Sequence, residues 1–191
     1  MTSSLAADVP AQFAQALASL RAAARDVGLD VREIPAPTRA AAFAVALAGS
    51  LRRPGDDEEI ADGQFVLLFD PSDVAGADGT FRVLVLVRAE LDPEMSSDPM
   101  LADVAWTWVE EATAPCGRIV EALGGSVTRT VTTSHGAVAQ RPDRVELEIR
   151  ASWTTTSSDA GAQLRAWAHV VRSSAGVPQL PDGVTSLGTR R

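Results

Sequence analysis

The chain has 191 residues, 46% hydrophobic and 22% charged, with a net charge of −8. That is the composition of a folded domain with a sizeable core, not of a disordered chain, and an acidic surface repels phosphate backbones, which excludes nucleic acid as the main partner. No apolar run is long enough to span a bilayer, the first residues MTSSLAADVP lack the basic start and apolar middle of a signal peptide, and a single cysteine, Cys116, allows neither an internal disulfide nor a cysteine-rich metal site. The expected location is the cytoplasm.

Residues 1–8 read as a loose start. From Pro10 to Val27, Phe13, Leu17, Leu20, Ala24 and Val27 recur at spacings of three and four, which is one face of an amphipathic helix that Gly28 ends. Pro35 and Pro37 then impose an extended path on VREIPAPTR. Residues 42–51, within AAFAVALAGSL, are ambiguous. Phe43, Leu47 and Leu51 fit a helical face, whereas Phe43, Val45 and Leu47 alternate with alanines as in a strand. The extended entry tips the reading to strand. A charged loop leads to QFVLLFDP (64–71), a buried strand closed by Asp-Pro, and SDVAGADG reads as a turn.

Phe81 to Leu91 is the most apolar strand, with Val83, Val85 and Val87 on one face and Leu84 and Leu86 on the other. Apolar on both sides, it is expected at the centre of the sheet with both faces covered. Asp98 and Pro99 open a helix with Leu101, Val104, Ala105, Trp108 and Ala112 inward. Pro115 kinks or breaks it, and Cys116, Ile119, Val120 and Leu123 carry its apolar surface to a stop at Gly124-Gly125. SVTRTVTTSHG is a β-branched strand. In RVELEIRASWT, Val145, Leu147, Ile149, Ala151 and Trp153 alternate with Glu146, Glu148, Arg150 and Ser152, a half-buried strand with one wet face. Asp159 caps a last helix with Leu164, Trp167, Ala168 and Val171 inward, ended by Gly176. The reading is a single α+β domain over residues 9–176, in the order α-β-β-β-α-β-β-α, with flexible termini at 1–8 and 177–191. Its sheet is mainly antiparallel, of about five strands packed with helices.

Chemistry is sparse. Glu90, Asp92, Glu94, Asp98 and Asp103 crowd the junction after the central strand, but no D-x-D-x-D-G metal loop is present, and acids near a helix start are favoured by its dipole. Asp56, Asp57, Glu58 and Glu59 read as a solvated loop, and Asp70, Asp73 and Asp78 as turn residues. His135 and His169 have no nucleophile in an activating context, since Cys116 follows a proline in an apolar stretch and no G-x-S-x-G elbow occurs. Dinucleotide and P-loop fingerprints are absent. No catalytic residue, metal site or cofactor is expected. The candidate ligand surface is the wet sheet face, where Arg88 and Glu90 share parity on one strand and Glu148 and Arg150 on another, beside Thr128, Thr130 and Thr132. The bland alternative is an exposed face covered by ion pairs. Trp106 falls off the apolar stripe of its helix and is the candidate interface residue.

REIPAP (Arg32 to Pro37), DGTFR with VRAELDPEM (Asp78 to Met95), DPML leading to WTWV (Asp98 to Val109), GGSVTRT (Gly124 to Thr130), LEIRASWT (Leu147 to Thr154) and LRAW (Leu164 to Trp167) together resemble an actinobacterial family known only as domain of unknown function 3000. The resemblance covers residues 9–178. It implies a GC-rich source, in keeping with the absence of lysine, and no activity or catalytic residue. The element order is also similar to that of secretion chaperones, small acidic dimers that bind other proteins; this is a likeness of topology alone. The expectation is a non-catalytic adaptor or chaperone-like module that binds a protein or peptide and forms a homodimer. The alternative is an enzyme or small-molecule binder with a polar pocket at Arg88, Glu90, Glu148 and Arg150.

Overall fold

The computed structural model describes residues 9–53, 55, 58–71, 80–92, 94–95 and 98–177. The expected turn at 72–79, the acids Asp56, Asp57, Asp73 and Asp78, and the segments 1–8 and 178–191 lie outside these described residues. In chain order the elements are α1 (Ala11–Ala23), β1 (Asp30–Ile34), β2 (Phe43–Arg52), β3 (Glu59–Asp70), β4 (Thr80–Leu91), α2 (Leu101–Thr113), β5 (Glu121–Thr132), β6 (Arg144–Thr155) and α3 (Ala160–Ser174). The strands form one sheet in the order β1-β2-β3-β4-β6-β5, antiparallel at every junction. The class is α+β, as the alternation pattern predicts, and the ambiguous segment forms a strand, Phe43–Arg52.

The sheet has six strands where about five were expected. The additional strand is β1, which the sequence reading took only as an extended approach to Pro35 and Pro37. It pairs Asp30 with Ser50 through Ile34 with Ala46, and the prolines lie just beyond its end, where no ladder donor is needed.

The three described α-helices lie on one side of the sheet. α3 occupies the middle, touching β3 and β4, with α1 and α2 flanking it. Odd-numbered residues of β2, β3 and β4 and of the following β6 face these helices: Val45, Leu47, Phe65, Leu67, Phe69, Phe81, Val83, Val85, Val87, Leu147, Ile149 and Trp153 are all buried. Aromatic rings close one end of this core, with Phe13 of α1 at 5.6 Å from Phe43 and 6.0 Å from Phe69, and Phe69 at 4.6 Å from Phe81. Trp167 of α3 is fully buried, and its indole Nε1 donates to the Leu86 carbonyl at 3.2 Å. It lies against Gly49 and Gly63, and a Cβ on Gly49 would stand 2.6 Å from the ring. The two glycines on neighbouring strands therefore make room for this indole ring.

Burial of β4 departs from expectation. Val83, Val85 and Val87 are buried, but Leu84 is 38% exposed and Leu86 half-buried. The strand is internal to the sheet yet, among the described residues, covered on one face only, because every described helix stacks on the odd-numbered side.

The middle of the chain is also corrected. Asp98 does not cap the helix directly: its Oδ1 accepts from the Met100 amide at 2.8 Å, forming a turn one step earlier, and α2 begins at Leu101. The buried stripe is Leu101, Ala105, Val109, Ala112 and Thr113; Val104 is exposed and Trp108 half-buried. α2 ends at Thr113, and Ala114–Ile119 tightens into a 3₁₀ segment instead of continuing the helix to Gly124. Pro115 has no amide to donate and crowds the carbonyl four residues back, so the α-helical ladder stops there. Glu121 to Leu123 already belong to β5, entered through Ala122 at φ 51° with a register shift against β6. By contrast α3 follows the sequence closely. Asp159 Oδ1 accepts from the Ala162 amide at 3.1 Å, and Gly176, at φ 66°, closes the helix as the Val177 amide reaches back to the Arg172 carbonyl at 3.0 Å.

Candidate functional site: the open face of the sheet

The even-numbered residues form a second face that no described helix covers. Strand register lays them out in rows. One row reads Ile34, Ala46, Val66, Leu84, Ser152 and Gly124 across the six strands. The next reads Arg32, Ala48, Gln64, Leu86, Arg150 and Ser126, and the one beyond it Asp30, Ser50, Asp62, Arg88, Glu148 and Thr128. The face thus grades from an apolar row to a charged one within three rows, and on the far side of the apolar row stands Arg82, between Leu68 and Thr154. In the apolar row the bulky residues stand on the central strands β3 and β4, and small ones on β2, β6 and the start of β5.

A shallow trough of about 370 Å³ crosses the apolar row, lined by Val66, Leu84, Leu86, Gly124, Arg150 and Ser152 among others. Gly124 and Gly125 shape its far side. A Cβ on Gly125 would collide with the Arg150 carbonyl, so β5 there approaches β6 more closely than a side chain allows.

In the charged row and its neighbour, three of the four candidate ligand residues engage one another. Arg88 Nε meets Glu148 Oε2 at 2.9 Å, and Arg150 Nε meets Glu148 Oε1 at 2.8 Å, so one carboxylate is held between two guanidiniums on adjacent strands. The Arg150 hydrogen bond, followed by that from Arg88, holds the Glu148 carboxyl below its ordinary range, and the same bond to Glu148 raises Arg88. Glu90 pairs instead with Arg144 at 3.3 Å. Asp62, across β4's Arg88 from Glu148, is pushed up, first by burial, then by the neighbouring Glu59. Sequence reasoning missed Asp62: it sits in the charged loop's continuation, IADGQF, with no alternation to mark it as a sheet residue.

The other singled-out groups lie apart from this face. Trp106 is half-buried on α2 and its Nε1 donates to Glu110 Oε1 at 3.0 Å, one turn along the same helix. His135 is exposed after β5, and His169 lies on α3. Cys116 is half-buried in the 3₁₀ segment, its thiol pushed up by burial while the Gln163 side chain pulls the other way. Gln163 itself is fully buried. Trp153 Nε1, which can only donate, fixes the amide oxygen at 2.7 Å. No sequence signal marks that pair, since glutamine at an inward helical position reads as a surface residue. Among the described residues no three His, Cys, Asp or Glu groups converge to hold a metal ion. No described helix is long and apolar enough to cross a membrane.

No curated protein and no solved structure matches the chain. Residues 9–185 match the family described as "Protein of unknown function (DUF3000)". The match spans nearly the whole chain, including both strands that carry the open face's charged rows, and the protein therefore belongs to the DUF3000 family.

Proposed function

We propose that the chain is a non-catalytic binding module of the actinobacterial cytoplasm, an adaptor or chaperone-like protein that takes a protein or peptide ligand on the open sheet face and works as a homodimer. The observation that carries the ligand reading is Leu84. A leucine at the centre of a six-stranded sheet stands 38% exposed, beside Val66 and Leu86, over a trough of about 370 Å³. Contiguous apolar surface rimmed by polar groups is the usual footprint of a protein contact. The polar rim supports binding more than chemistry. Arg88, Glu148 and Arg150 spend their charges on one another, and Glu90 on Arg144. Such a rim sets register and specificity for a ligand whose apolar groups fill the trough.

The test is a selection of binding peptides against the purified chain, with the bound site mapped by backbone amide shifts. Shifts clustered at Val66, Leu84, Leu86 and Ser152, with affinity lost in Leu84→Glu, are expected. Peptides that perturb the helix-covered side instead, or bind Leu84→Glu as well as the parent, overturn the assignment.

A further inference from the structure

The two edges of the sheet are built differently. β1, at one edge, has five residues, of which Asp30, Arg32 and Glu33 are charged. Short length and charge are the devices by which natural proteins keep a sheet edge from pairing with another chain. β5, at the other edge, has 12 residues and carries only Glu121 and Arg129 as charges. Among the described residues it pairs with β6 alone; it contains no proline and is exposed over most of its length, with Val131 at 47%. Its one cation, Arg129, is exposed but is engaged within the chain, donating to the Asp98 carbonyl at 2.7 Å. The register irregularity that would twist an edge away is confined to Glu121–Gly124, leaving the stretch from Gly124 to Thr132 in regular pairing with β6. An unguarded, regular, nearly neutral edge about 30 Å long is a pairing surface.

The sequence of β5 is complementary to itself. Antiparallel pairing of two copies about a two-fold axis at Val127 sets Val127 against itself, Leu123 against Val131, Ser126 against Thr128 and Gly124 against Thr130. Arg129 then faces Gly125. Apolar meets apolar, hydroxyl meets hydroxyl, and no like charges meet. We infer that the β5 edge is the dimer interface, two copies joining β5 to β5 in antiparallel register about Val127 to make one continuous twelve-stranded sheet. This rests on the dimeric part of the proposed function and is independent of the ligand reading of the open face.

The register makes the test specific. Ser126 and Thr128 are exposed and face each other across the proposed axis, twice per dimer. Within the chain, Ser126 lies beside Arg150 and Thr128 beside Glu148. In the double variant Ser126→Glu with Thr128→Glu, carboxylates oppose carboxylates across the axis. In Ser126→Glu with Thr128→Arg, opposite charges meet both across the axis and against β6. Sedimentation or light scattering of the full chain across a concentration series reads the dissociation constant. The first variant is expected to dissociate at least about tenfold more readily, two repulsive pairs together costing about 1.4 kcal/mol or more, while the second stays within about threefold of the parent. The second variant also controls for folding. A parent chain that is monomeric throughout the series overturns both the dimer and its interface. A dimeric parent whose Glu/Glu variant is equally dimeric overturns the interface alone.

Discussion

The two faces of this sheet share the same strands, often adjacent residues, and differ in almost everything else. On β4, Val83 and Val85 are buried under α3 while Leu84 between them looks into solvent. On β6, Leu147 and Ile149 are buried while Glu148 between them joins an ion-pair row. The covered face gains its stability from area removed from water and from close fit around Trp167. The open face retains an apolar centre that contributes little to folding, which is why it is the place to look for a ligand. Breaking the comparison means showing that the two faces matter equally to stability.

The largest effect is expected at Trp167. Its side chain fills the space left by Gly49 and Gly63 and satisfies its Nε1 on the Leu86 carbonyl. Trp167→Ala should cost about 3–5 kcal/mol by denaturant unfolding, the range for deleting a fully buried large aromatic. A sharper contrast uses two leucines on paired strands. Leu67 of β3 is fully buried, whereas Leu84 of β4 is 38% exposed. Leu67→Ala should cost about 2–5 kcal/mol, and Leu84→Ala about 1 kcal/mol or less, because more than a third of Leu84 stays in water and its removal leaves no enclosed cavity. Equal losses at the two sites would mean that the open face is core after all, and the binding proposal would lose its motivation.

How much of this was legible in the sequence depends on which physical signal each element carries. Alternation placed β6 and its wet face correctly, because Glu146, Glu148 and Arg150 interrupt the apolar residues one by one. Caps placed α3, since Asp159 and Gly176 act through local backbone geometry that the sequence states directly. β4 misled, because Leu84 and Leu86 are as apolar as the valines they alternate with, and hydropathy cannot tell a residue covered by a helix from one left for another molecule. β1 was invisible for the opposite reason: DVREI is too short and too charged to look like a strand, and it is one only because β2 offers it a ladder. The end of α2 was blurred by apolar residues continuing past Pro115, where lost hydrogen bonding and not hydropathy set the boundary. Of the site, the four residues Arg88, Glu90, Glu148 and Arg150 could be placed on one face by parity. Their pairing could not, since it depends on strand order, β6 lying next to β4, which no local pattern encodes.

Within the open face, the charged row supplies smaller effects of opposite sign. Glu148 is held below the ordinary carboxylate range by Arg150 and Arg88. Its contribution is therefore present above the pKa of the unfolded side chain and lost as the pH falls through the folded value. Glu148→Gln should cost at most about 1 kcal/mol near neutrality, since both arginines are substantially exposed and salt screens the pair, and the deficit should vanish in strong acid. High salt should shrink it.

Asp62 lies on the other side of Arg88 from Glu148, yet the two carboxylates fare differently. Glu148 takes the Arg88 guanidinium at 2.9 Å, and Asp62, facing Glu59 and Glu146 as well, is raised by burial and by those neighbours in spite of Arg88. A carboxyl whose folded pKa exceeds its unfolded value favours the folded state only when protonated. Its penalty is absent in strong acid, grows as the pH rises from the unfolded towards the folded value, and is complete above that. Asp62→Asn removes the charge while keeping the shape. It should stabilise the chain slightly at neutral pH and leave its stability unchanged in strong acid, where the parent side chain is already neutral. Urea midpoints at about pH 7 and about pH 2 separate the cases. A variant less stable than the parent at neutrality would mean that the Asp62 charge is satisfied by Arg88, and that the arginine serves both carboxylates and not Glu148 in preference.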